Sequence, residues 1–240
     1  MGTFHGVAVI GLGGIGGCLV PHLARLMAYS GKLPKRLTLV DGDSFEPSNM
    51  QRQAAAKGDL LRNKADAWAA RLAPEFPALE VSAVGEYLTP SSSRSILKDG
   101  VIAMLCVDNH ASRLLAQERA SQLRHVWLIS GGNDYTDGNV QVFVKRGGRI
   151  LAPSISIFHP EIAVPTDKRP DELGCDEQVF TMPQLLTANL MAASLMLNAL
   201  YALSEDKLDH NEVYFDTIKN AARPSGRAIS TNRKQEASNG

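Results

Sequence analysis

Paired cysteines are missing from this sequence. Cys18, Cys106 and Cys175 stand far apart in 240 residues with no CxxC motif, which excludes a disulfide framework and the tetrahedral site of a structural zinc. No zinc is expected. An excess of charge is missing too: 25 basic residues balance 25 acidic ones, so the footprint of a nucleic-acid or anionic-membrane surface is absent. The N-terminus runs into a strand without the basic region, apolar core and cleavage site of a secretory signal. A reducing cytoplasm is the expected setting. One uncharged run, Gln178 to Ser204, is long enough to span a bilayer. Gln184, Thr187, Asn189, Ser194 and Asn198 interrupt it and no basic cluster flanks it, so it reads as a buried helix.

What is present is alternation. Val7 to Ile10 reads as a buried strand, and Gly11-Leu12-Gly13-Gly14-Ile15-Gly16 as a tight turn into a helix over about Ile15 to Ala28. Strands follow at Leu37 to Val40, Leu79 to Val84, Val101 to Val107 and Val126 to Ile129, with helices over about Arg62 to Phe76 and Ala111 to Leu123. Such alternation implies a parallel sheet. The expected fold class is α/β, a Rossmann-like, doubly wound and mostly parallel sheet. Asn139 to Lys145 alternates with the two-residue period of an added antiparallel strand. The proline-rich residues 152–180 read as a long crossing loop, Thr181 and Pro183 as the opening of the uncharged helix, and Val213 to Asp216 as a last strand. One domain over residues 1–222 and a polar, disordered tail over 223–240 complete the expected organisation.

The glycine turn follows a strand and opens a helix, the context in which GxGxxG binds a nucleotide. Gly11, Gly13, Gly14 and Gly16 let the backbone approach phosphates at a helix N-terminus; the same glycines would also serve close helix packing. Asp41 closes the second strand, where a carboxylate either accepts the ribose hydroxyls or caps the following loop. Asp43 reads as a turn residue. Asn49, Arg52, Gln53 and Lys64 come next. A dehydrogenase has no need of them, whereas cations beside a glycine-rich cradle suit a triphosphate; taken singly, Arg52 and Lys64 also read as surface charges. Asp108 ends a strand at the crevice of an open α/β sheet, which suits a metal ligand or an N-cap for the next helix. Arg113, one turn into that helix, either supports the site or faces solvent. Cys18 and Cys106, inside a helix and a strand, read as small core residues.

Several of these motifs occur together. Gly11 to Gly16, Leu39-Val40-Asp41-Gly42-Asp43 followed by Ser48-Asn49-Met50-Gln51-Arg52-Gln53, then Lys64, and Val107-Asp108-Asn109 with Arg113 resemble the ThiF/MoeB family in order and approximate spacing, over about residues 5–204. These are the bacterial relatives of ubiquitin-activating enzymes. The resemblance implies an adenylyltransferase using ATP and Mg²⁺, in which a carboxylate attacks the α-phosphate to give an acyl-adenylate and pyrophosphate. The carboxylate is usually the C-terminal glycine of a ubiquitin-like or sulfur-carrier protein. By position the resemblance implies Asp41 on the ribose, Asn49, Arg52, Gln53 and Lys64 on the phosphates, and Asp108 organising Mg²⁺. Such a site works by positioning and charge neutralisation and demands no general base of the protein. Cys175 lies where some members hold the acyl group as a thioester before a conjugating enzyme takes it. A homodimer through the uncharged helix is expected.

The sequence also departs from the family's pattern. Asp176 and Glu177 beside Cys175 disfavour a thiolate, although a helix beginning near Met182 offsets this in part. No helix precedes the first strand, so the arginine that such a helix lends to a neighbouring ATP site in many relatives is expected from another source. Three other readings stay open: adenylation of a peptide or tRNA-linked carboxylate, an NAD-dependent oxidoreductase, and a scaffold that binds a ubiquitin-like tail without turnover.

Overall fold

The computed structural model describes residues 4–50, 53–173 and 184–225. Strand β1 (Gly6–Ile10) is buried along almost its whole length, as a strand covered on both faces must be. The glycine turn leads from it into α1 (Gly14–Tyr29). β2 (Arg36–Val40), α2 (Lys64–Glu75) and β3 (Glu80–Val84) extend the parallel sheet to one side of β1. A short helix, α3 (Ser92–Ile96), precedes β4 (Val101–Leu105), α4 (His110–Gln122) and β5 (Val126–Asn133), which extend the sheet on the other side.

The chain then reverses. β6 (Asp137–Arg146) runs antiparallel to β5, and β7 (Arg149–Ala152) pairs with β6. After α5 (Pro160–Ala163) and α6 (Leu186–Ser204), β8 (Glu212–Asp216) and β9 (Ala221–Pro224) add antiparallel beyond β6. The order is β3-β2-β1-β4-β5-β6-β8-β9. This is the expected doubly wound parallel sheet with its antiparallel addition, and the order reverses direction between β1 and β4.

Four local features differ from the sequence reading. β5 continues past its apolar run through Ser130, Gly131 and Gly132. A β-carbon at Gly131 would meet Met196 and one at Gly132 the Arg113 guanidinium, so these glycines mark close approach from both faces rather than a turn. α3 is too short for a helical period to register. β7 follows Gly147 and Gly148, both at positive φ, which close a hairpin. β9 takes Arg223, expected to begin the tail, into the sheet. Residues 226–240 lie outside the described residues, as do Thr181 and Pro183; α6 begins at Leu186 with Leu185 in the N-cap place and no side-chain cap.

Two apolar clusters hold the layers together. On one face Leu19, Leu23 and Met27 of α1 share a cluster with Ala192, Met196 and Leu200 of α6 and with Ile102, Met104 and Ile129 of the sheet. On the other, Ile10, Leu105 and Leu128 pack with Ala116 of α4 and with Ile155 and Ile162 of the crossing segment. Length and apolar composition alone would let α6 cross a bilayer, yet it is packed as a core helix, with one side against α1 and the sheet.

Candidate functional site

A cleft of about 1110 Å³ opens where the sheet order reverses and runs from the glycine turn to the antiparallel strands. Open α/β sheets bind ligands at this place because the loops after neighbouring strands diverge there. Gly11, at φ +87°, starts the turn; its N–H donates to Val40 O at 2.9 Å, and a β-carbon would press on the Cys106 carbonyl oxygen at 2.8 Å. A β-carbon at Gly16 would overlap Gly11 O. Both positions therefore require glycine. Gly13 is the N-cap residue of α1, and no side chain caps that helix. The first-turn N–H groups that Gly13 and Gly14 present beside the cleft suit an anion.

Asp41 braces the turn. Its Oδ2 accepts Leu12 N–H at 2.5 Å and its Oδ1 accepts Asp43 N–H at 2.8 Å. Burial raises its pKa, opposed by Lys64 and by those N–H donors. Asp41 thus caps the following loop, as one of its two sequence readings had it, and it also lines the cleft. Lys64 is 5 % exposed and its ammonium is committed to Asp43 Oδ2 at 2.9 Å. Asp43, read from the sequence as a turn residue, lines the cleft and also accepts a hydrogen bond from Tyr87 OH. Burial, then that bond to Asp43, raises the Tyr87 pKa well above its usual value. Asn49 Oδ1 accepts Glu46 N–H at 3.1 Å, which shapes the loop. Gln53 Oε1 is buried beside Gly13 with no hydrogen-bond partner among the described residues.

Asp108 follows β4 and lines the cleft. It does not cap α4: Asn109 does, accepting Ser112 N–H at 2.8 Å. Arg113 faces inward and is 6 % exposed, donating to Ser130 Oγ, Val107 O and Gly131 O at 2.9, 2.7 and 3.0 Å. Burial lowers its pKa, and Asp108 leads the charges that oppose this. It adds a buried positive charge to the lining of the cleft, which rules out the solvent-facing reading of Arg113.

The far end of the cleft has chemistry that no local motif announces. His159 bridges two carboxylates, Nε2 to Glu212 Oε1 at 2.6 Å and Nδ1 to Glu161 Oε1 at 2.9 Å. Asn139 Nδ2 donates to the same Glu212 oxygen at 3.2 Å. The bond to Glu212 is the main cause of the raised His159 pKa. Asp167, also in the crossing segment, accepts His110 N–H at 2.7 Å and Ala111 N–H at 2.9 Å at the start of α4. These pairs span 53 and about 57 residues, so only the tertiary fold brings them together.

The cleft therefore gathers Gly11, Gly13, Gly14, Asp41, Asn49, Gln53, Lys64 and Asp108. Arg52 and Cys175 lie outside the described residues. Cys18 and Cys106 are buried free thiols, as their places in a helix and a strand suggested; burial raises both pKa values, that of Cys106 to about 12.

The chain is 27% identical over 160 residues to the adenylyltransferase and sulfurtransferase UBA4 of Yarrowia lipolytica, covering 67% of this chain and 39% of that one. It is 28% identical over 155 residues to ubiquitin-like modifier-activating enzyme 5 of Arabidopsis thaliana, covering 58% and 35%. The chain thus spans well under half the length of these relatives. Among solved structures, E. coli MccB with ATP has a TM-score of 0.69 at 15% identity, over 95% of this chain and 64% of that one, a likeness of fold. Residues 4–238 match the ThiF family, and the chain belongs to that family.

Proposed function

We propose that the protein uses ATP to adenylate a carboxylate, the C-terminal glycine of a ubiquitin-like or sulfur-carrier protein. The observation that carries this reading is one continuous cleft, with the glycine turn and Asp108 at one end and a wall from β6 and β8 at the other. It has room for a nucleotide and, beyond it, an extended tail. Membership of the ThiF family supports the same reading.

In this arrangement the ribose lies against Asp41 and the phosphates along the glycine turn, with Asn49, Arg52, Gln53 and the Lys64–Asp43 pair beside them. The tail carboxylate attacks the α-phosphorus, the bond from that phosphorus to the bridging oxygen breaks, and pyrophosphate leaves with the electron pair. The attacking carboxylate is ionised at neutral pH and needs no base. Positioning and preorganised charge do the rest. Among the described residues no group of three or more His, Cys, Asp or Glu side chains is arranged to hold a metal ion. Mg²⁺ carried by a nucleotide needs only one or two carboxylates, a requirement Asp108 can meet, and when bound it neutralises phosphate charge. Cys175 is the proposed acceptor in a second step: its thiolate attacks the acyl carbonyl, AMP leaves, and a conjugating enzyme takes over the thioester. Leu186, Leu190 and Tyr201, exposed on α6, support pairing with a second copy.

Pyrophosphate exchange into ATP, with candidate ubiquitin-like proteins and short peptides as acyl substrates, tests the reading. Asp108→Ala should lower exchange by about a hundredfold or more, while Cys175→Ala should leave it intact. ATP binding without exchange for any carboxylate substrate would overturn the proposal.

A further inference from the structure

Helix α6 carries one polar side chain into the core that stability does not explain. Asn189 is 0 % exposed, and among the described residues neither its side-chain nitrogen nor its side-chain oxygen has a hydrogen-bond partner. Its buried neighbours on the helix, Ala188, Ala192, Ala193 and Met196, are apolar. Leaving a buried polar group unpaired costs its full desolvation, and a leucine of similar size would remove that cost.

The location of the side chain supplies the reason. It lies against Gly14, the first residue of α1, where a β-carbon would overlap the Asn189 carboxamide. Gly14 also lines the cleft. It belongs to the turn whose N–H groups have no partner within the helix. A second carboxamide with an unpaired oxygen, that of Gln53, lies near Gly13, its Nε2 3.8 Å from where a β-carbon would stand. Two amide side chains with hydrogen-bonding capacity to spare thus meet adjacent residues of the turn. Gln53 lines the cleft; Asn189 comes from the core.

We propose that Asn189 is a positioning residue for the nucleotide, acting through Gly14 to orient the first-turn N–H groups that receive the polyphosphate. The inference rests on the nucleotide reading of the cleft. A phosphate that draws those N–H groups towards it reorients the Gly13–Gly14 peptide, and Asn189 supplies a donor or acceptor on the side the phosphate does not reach. The unpaired carboxamide is then a stability cost that nucleotide binding relieves, as is common for groups kept for function.

Asn189→Leu and Asn189→Ser, made in the full chain, test this through two readouts that a packing role would move together. Thermal unfolding without ligand should show Asn189→Leu melting at or above the wild-type temperature. Ligand-observed NMR should show its ATP affinity falling on the order of tenfold, the worth of about one hydrogen bond, with adenosine affinity unchanged. Asn189→Ser keeps a hydroxyl and should recover part of the ATP affinity. Unchanged ATP affinity in Asn189→Leu overturns the proposal, as does a parallel loss of ATP affinity, adenosine affinity and melting temperature. Failure of the wild-type protein to bind ATP would instead remove the nucleotide reading on which the proposal stands.

Discussion

His159 bridges Glu212 and Glu161 inside the cleft, and its environment makes a prediction with a definite sign. Its folded pKa is raised, chiefly by the hydrogen bond to Glu212. The folded protein therefore binds the His159 proton more tightly than the unfolded chain. The resulting stabilisation is fully present below the ordinary histidine value near pH 6.5 and is lost as pH climbs through the folded value. Denaturant unfolding of wild type and His159→Gln across this range should show the variant less stable by about 1–3 kcal/mol at low pH, with the gap closing as pH rises. A gap independent of pH would mean that His159 contributes by packing alone. Asp43 teaches a related lesson. As one letter in a loop it reads as a turn former, and only its meeting with Lys64 and Tyr87 makes it part of the cleft.

Helix α4 illustrates how an element is completed from a distance. Its own sequence provides Asn109 as cap, leaving other first-turn N–H groups without intrahelical partners. Asp167 fills two of these places with one carboxylate and ties the crossing segment to the helix. Asp167→Ala should destabilise the protein by about 0.5–2 kcal/mol, the usual worth of an N-cap, measured by chemical denaturation. Asp167→Asn, which keeps an acceptor oxygen, should lose less. The strands and helices of the parallel part were legible because buried strands read as apolar runs and their helices as apolar-periodic stretches. β5 beyond Ile129 was not, because its glycines answer to Met196 and Arg113 on other elements rather than to strand propensity. α3 and β7 were too short to carry a period.

The molecule as a whole presents an uncharged helix that is a core element on one side and carries exposed Leu186, Leu190 and Tyr201 on the other. On the proposed pairing, light scattering at micromolar concentration should give about twice the mass of one chain, and Leu190→Glu with Tyr201→Glu should shift it to the monomer. A monomeric wild-type protein would refute the dimer.

The sequence by itself determined the α/β class, the parallel core, the glycine turn and the residues Asp41, Asn49, Gln53, Lys64 and Asp108 that the cleft gathers. These features are local: hydrophobic period, glycine tolerance and side-chain chemistry at strand ends are written in contiguous residues. Tertiary structure alone decided that Lys64 is paired with Asp43, that Arg113 lies buried beneath the cleft, that His159 bridges two carboxylates and that Asn189 meets the glycine turn. Each of those facts depends on which distant elements pack together, and packing is settled by the burial of whole faces rather than by any one segment.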